Sequence, residues 1–76
     1  MTFGERAVGV LFNPSGDSKV TLLKALFAQI IDVCNDARAA PSCDPESKRL
    51  FSIAITESQG AQMWAVKAVT WREWRD

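Results

Sequence analysis

A single break in the second half of the chain limits what it can fold into. Ala40-Pro41-Ser42-Cys43-Asp44-Pro45-Glu46 separates two long stretches of helical spacing. From Ser18 to Ala39 there is no glycine or proline, and the apolar residues Val20, Leu23, Leu26, Phe27, Ile30, Ile31, Cys34 and Ala37 recur every three or four positions. After the break, Asp44 supplies an N-cap, Pro45 suits the first helical position and Glu46 places an acid in the first turn. Upstream, Phe12-Asn13-Pro14-Ser15-Gly16-Asp17-Ser18 favours a turn and offers Asp17 or Ser18 as the first N-cap. The pattern predicts an all-α fold: an N-terminal segment and turn over 1–17, a helix over 18–39, a loop over 40–44 and a second helix over 45–73. Gly60 is the one weak point of the second helix. So short a connection makes the helices antiparallel neighbours in a hairpin, and 76 residues allow one domain.

A two-helix hairpin has one inner seam, yet the second helix carries two apolar stripes. Leu50, Ala54, Ala61, Trp64, Ala68 and Trp71 form one; Phe51, Ile55, Val66 and Val69 form the other. Between Ser52 and Val66 the only charge is Glu57, the other polar positions being Ser52, Thr56, Ser58, Gln59 and Gln62. That composition suits an oligomer core or a cavity wall, so a homo-oligomer is expected. In the closing Trp71-Arg72-Glu73-Trp74-Arg75-Asp76, the tryptophans are expected to pack on a neighbouring chain.

Charge and residue usage narrow the function. Nine basic and nine acidic side chains give zero net charge, which disfavours a polynucleotide partner and a major-groove transcription factor. The chain has no histidine, Asp32 and Asp36 read as solvated helix acids, and Cys34 and Cys43 form no CxxC pair. No catalytic set, metal or cofactor is therefore expected, and the cysteines are expected as reduced thiols. No apolar run reaches signal-peptide or membrane-spanning length, so a cytoplasmic protein without a membrane partner is expected. Lys48 and Arg49 fall in the first turns of a helix that favours anions, and Phe12 precedes another helix start, where an aromatic can stack on a base.

The segment from Ser52 to Val69, with Ile53, Thr56, Gln59, Met63 and Lys67, resembles the second long helix of small phage proteins that sequester the cyclic oligonucleotide signals of bacterial CBASS immunity. A related hairpin occurs in a phage anti-Thoeris sponge, and the openings Met1 to Gly9 and Phe12 to Gly16 are similar to those of short family members. The resemblance implies a homohexamer that binds cyclic dinucleotides between two protomers and, in some members, cyclic trinucleotides on a three-fold axis, without cleaving them. It assigns base stacking to Phe12, where the family pattern has tyrosine, and phosphate binding to Lys24, with Asn13 and Pro14 at the rim. Arg49, Ser52 and Thr56 are assigned to a trinucleotide pocket. Phe12→Ala or Lys24→Ala is then expected to abolish dinucleotide binding and leave the assembly intact. The alternative is an oligomeric adaptor hairpin that docks a host protein on its second apolar stripe.

Two stacked bases at roughly 1–3 kcal/mol each and two charged hydrogen bonds at about 1.5–3 kcal/mol each give roughly 5–12 kcal/mol. Nanomolar affinity needs about 12 kcal/mol net of association costs. Further hydrogen bonds to the ligand must contribute.

Overall fold

The computed structural model describes residues 1–74, with side chains as far as 72; Arg75 and Asp76 of the expected closing segment lie outside the described residues. The described chain is all-helical: α1 (Phe3–Val8), α2 (Ser18–Ala39), α3 (Pro45–Val69) and a terminal 3-10 turn (Trp71–Trp74). α2 and α3 form the hairpin, and α1 packs mainly on α2.

The N-terminal segment, expected as a segment and turn, thus contains a helix, α1. Its ends are closed by local chemistry. Thr2 Oγ1 accepts the Glu5 N–H at 3.0 Å, and Glu5 Oε1 accepts the Thr2 N–H at 2.8 Å, a reciprocal capping box. Gly9, at φ 62° and ψ 55°, turns left-handed; its N–H donates to Arg6 O and the Val10 N–H to Glu5 O, which completes a Schellman closure. Thr2, Glu5 and Gly9 were the available signals. A helix of this length gains little from propensity, so docking must hold it.

α2 begins at Asp17, whose carboxylate accepts the Lys19 N–H at 2.8 Å. α3 begins at Asp44, which accepts the Ser47 N–H at 2.8 Å, with Pro45 at the first position. That bond, with a second from the Ser47 hydroxyl to Asp44 Oδ2 at 3.1 Å, holds the Asp44 carboxyl below its usual range. α3 stops short of the expected residue 73. Thr70 donates its hydroxyl back to Val66 O at 2.8 Å, and the chain tightens into the 3-10 turn. Gly60 does not interrupt α3, and a methyl group there would meet nothing within 4 Å. Gly60→Ala is therefore expected to stabilise the fold by about 0.5–1 kcal/mol through helix propensity, seen as a higher midpoint in urea unfolding.

The core is small. Val8, Ala28, Ile31 and Ile55 form it, with Ala7, Val10, Phe27 and Cys34 packed around them, and Ile31 is fully enclosed. On α2 the buried positions are Val20, Lys24, Ala28 and Ile31. The apolar residues two positions further along, Leu22, Leu26, Ile30 and Val33, lie about 200° round the helix and stay exposed. Leu26 and Ile30, counted by spacing with the rest of the α2 apolar set, thus belong to the far face. On α3 the two predicted stripes separate in the same way. Leu50, Ala61, Trp64, Ala68 and, in the 3-10 turn, Trp71 are exposed while Ala54 of the same stripe is half-buried; in the other stripe Ile55 is buried and Phe51, Val66 and Val69 are half-buried. In a body of 50 × 22 × 13 Å, the inner seam is used and broad apolar faces remain outside it.

Candidate functional site

Each long helix buries one polar residue in an apolar register of the seam. On α2 it is Lys24, between Val20 and Ala28; on α3 it is Gln62, seven residues after Ile55. They are 5% and 6% exposed, respectively. Both line a cavity of about 710 Å³ at the end of the hairpin where α2 begins and α3 ends. Pockets for small ligands commonly measure about 300–1,000 Å³.

The loop after α1 forms one wall of this cavity. Phe12, Asn13 and Pro14 line it together with Lys24, so the four residues expected to form a dinucleotide site come together. The loop holds its shape by side-chain bonds. Asn13 Nδ2 donates to Asp17 O at 2.9 Å and to Thr21 Oγ1 at 3.0 Å, while Asn13 Oδ1 accepts the Ser15 hydroxyl at 2.7 Å. Asn13 thereby ties the loop to the first turn of α2. Phe12 is 71% exposed, so most of its surface is open.

Lys24 runs beneath this loop. Its ammonium donates to Gly9 O at 3.0 Å and to Phe12 O, and lies 5.4 Å from the centroid of the Phe12 ring. Burial pushes its pKa below the usual lysine value. An ammonium has three N–H donors. Two are taken by carbonyls, which leaves one for an acceptor in the cavity. Lys24 is thus a structural tether as well as a candidate phosphate ligand, a role the sequence reading did not assign.

α3 supplies the facing wall, including Gln62, Met63, Trp64 and Lys67. Trp64 is 72% exposed, and the Lys67 ammonium lies 5.7 Å from its ring centroid. None of Gln62, Trp64 and Lys67 was named as a site residue from sequence. The available signal was the register of Gln62, a polar residue where the stripe of Ile55, Val66 and Val69 calls for an apolar one.

Arg49, Ser52 and Thr56 do not join this cavity. They lie toward the other end of α3, and each is engaged locally. Arg49 forks onto the Glu46 carboxylate, a pairing that raises its pKa. Ser52 donates to Lys48 O at 2.9 Å, and Thr56 donates to Ser52 O at 3.2 Å. The cation that reaches Ser52 is Arg38 of α2, which donates to its hydroxyl at 3.0 Å and lies 5.4 Å from the Phe3 ring centroid.

Cys34 and Cys43 are free thiols. Among the described residues no group of three or more histidine, cysteine, aspartate or glutamate side chains could hold a metal ion. Among them, too, no helix is long and apolar enough to cross a membrane.

Fold and cavity together define an all-helical hairpin domain with a preformed concave site whose polar groups project from its own inner seam. The chain belongs to the Acb2/Tad1 hairpin-domain family, whose model matches residues 5–70. No curated protein and no solved structure matches the chain.

Proposed function

We propose that this protein binds a cyclic oligonucleotide second messenger and sequesters it without cleaving it, in the cytoplasm of an infected bacterium, where it antagonises anti-phage signalling. The observation that carries the proposal is the convergence of Phe12, Asn13, Pro14 and Lys24 on one cavity. It is supported by membership of the Acb2/Tad1 hairpin family, which is known for sponge-like binding of cyclic oligonucleotides. Phe12 offers an exposed ring for stacking, and Lys24 offers a positive charge beside it.

The assembly is a homo-oligomer, a hexamer by the family pattern. The exposed stripe of Leu22, Leu26, Ile30 and Val33 on α2 is the kind of apolar surface an oligomer covers. A two-fold interface suits a cyclic dinucleotide, because one Phe12 and one Lys24 from each protomer meet equivalent halves of the ligand. The finer element of the proposal is a separate trinucleotide pocket around Ser52 and Thr56 on a three-fold axis, for which Arg49 would have to leave Glu46.

Isothermal titration with a panel of cyclic di- and trinucleotides tests this. The expected result is binding at a fixed sub-stoichiometric ratio per chain, with intact ligand recovered after heat denaturation. Phe12→Ala is expected to weaken dinucleotide binding by about 1–3 kcal/mol for each base it stacks. Its melting temperature should barely move, because the ring is exposed. Trinucleotide binding should survive this change. If no nucleotide binds and a specific host protein copurifies instead, the exposed stripe serves the adaptor reading.

A further inference from the structure

Of the two polar side chains buried in the seam, Lys24 is answered by carbonyls and Gln62 is not. Gln62 is 6% exposed, and its amide makes no hydrogen bond to any described residue. Among the described residues, no side-chain nitrogen or oxygen is both sealed from solvent and unpaired. The Gln62 amide must therefore open into the cavity it lines. An amide that makes no bond within the seam adds nothing to its packing, and its register calls for leucine or methionine. Packing alone gives no reason for glutamine here.

We infer that Gln62 reads the edge of a nucleobase in the cavity and favours adenine over guanine. The inference rests on the reading of the cavity as a cyclic-oligonucleotide site. A primary amide presents a donor and an acceptor side by side. Adenine matches that pair on two edges, N6–H with N7 on the Hoogsteen edge and N6–H with N1 on the Watson–Crick edge, whereas guanine matches it only on the Watson–Crick edge, O6 with N1–H, its Hoogsteen edge presenting two acceptors, O6 and N7. Stacking on Phe12 fixes the plane of a base but not its identity, because every base has a π face. The Gln62 amide is a cavity group that presents both a donor and an acceptor to a base edge, and it supplies hydrogen bonds that stacking and two cations leave wanting.

The test uses the full chain, cyclic di-adenosine monophosphate and cyclic di-guanosine monophosphate as titrants, and the variants Gln62→Met and Gln62→Glu. The wild type is expected to favour the adenine ligand. Gln62→Met should weaken adenine-ligand binding by about tenfold or more and flatten the preference. Its unliganded melting temperature should hold, since the amide makes no hydrogen bond within the described chain, and its oligomeric state should not change. Gln62→Glu keeps the shape, loses both N–H donors and should also lose the adenine preference. Unchanged affinity in both variants overturns the inference, as does a wild type that favours guanine. A loss of binding that comes with a lower melting temperature or an altered assembly in Gln62→Met makes Gln62 a structural residue and overturns it as well. A wild type that binds no cyclic nucleotide defeats the underlying reading before any variant is compared.

Discussion

Gly4→Ala is expected to undock α1 and lower the melting temperature by about 10–20 °C. Gly4 is buried where α1 crosses α2. A methyl group there would lie 2.1 Å from Ala28 O, 2.9 Å from the Ala28 carbonyl carbon and 2.9 Å from Asp32 Oδ1. The obstructing atoms at Ala28 are backbone within a helix and cannot swing aside. The same contact holds α1 in place, because the Gly4 N–H donates to Asp32 Oδ1 at 2.7 Å. Overpacking a tight core costs about 1–3 kcal/mol and occasionally more, and the upper end applies where no side chain can yield. In a domain of this size each kcal/mol moves the midpoint by roughly 4–8 °C. Thermal unfolding by circular dichroism measures the loss, and hydrogen exchange at Val8 to Val10 locates it. A midpoint within two or three degrees of wild type (roughly 0.5 kcal/mol) would show that α1 does not approach α2 so closely. Gly60→Ala, in open space on α3, is the matched control of opposite sign.

The contrast between Gly4 and the long helices shows what the sequence could reveal. Asp44-Pro45-Glu46 and Asp17-Ser18 mark helix starts by local chemistry, and the spacing from Val20 to Ala37 marks a helix, so the hairpin was readable without tertiary knowledge. α1 was not. Its capping box at Thr2 and Glu5 is local and visible, but its existence depends on Gly4 meeting Ala28, two residues far apart in the chain. Periodicity found the apolar residues of α2 without sorting them, because Ile31 and Ile30 differ only in whether another helix packs beside them. The candidate site divides along the same line. Phe12, Asn13, Pro14 and Lys24 reached one cavity by resemblance to a family. Gln62 was visible only as a polar residue in an apolar stripe, and Arg38 meets Ser52 only because the hairpin brings the end of α2 beside the start of α3.

Lys24→Ala is expected to lose both ligand binding and stability, whereas the sequence alone suggests a loss of binding that leaves the assembly intact. Its ammonium holds Gly9 O and Phe12 O, and through them the loop that presents Phe12. Gly9 O keeps a second donor in the Phe12 N–H at 2.8 Å, whereas Phe12 O has no other donor among the described residues. Truncation also removes the buried aliphatic stem. Loss of a buried side chain of this length costs about 2–5 kcal/mol, which for so small a domain is much of its stability. Lys24→Met separates the two roles by keeping the stem and removing only the charge. It should retain most of the melting temperature while binding of a phosphate ligand falls at least as far as in Phe12→Ala. The sign of the pH dependence gives an independent check. Burial lowers the folded pKa of Lys24 below its unfolded value of 10.5. Between those two values the unfolded chain binds the extra proton, so wild-type stability carries a rising contribution with pH across that interval and none well below it. Lys24→Met should lack this contribution. Affinity for an anionic ligand runs the other way, falling as pH rises through the depressed pKa, because the charge that meets the phosphate is lost there. Matched urea unfolding and ligand titration from neutral to alkaline pH measure both slopes. A stability profile that Lys24→Met leaves unchanged would show that this lysine is not desolvated in the seam, and its place beneath Phe12 would have to be given up.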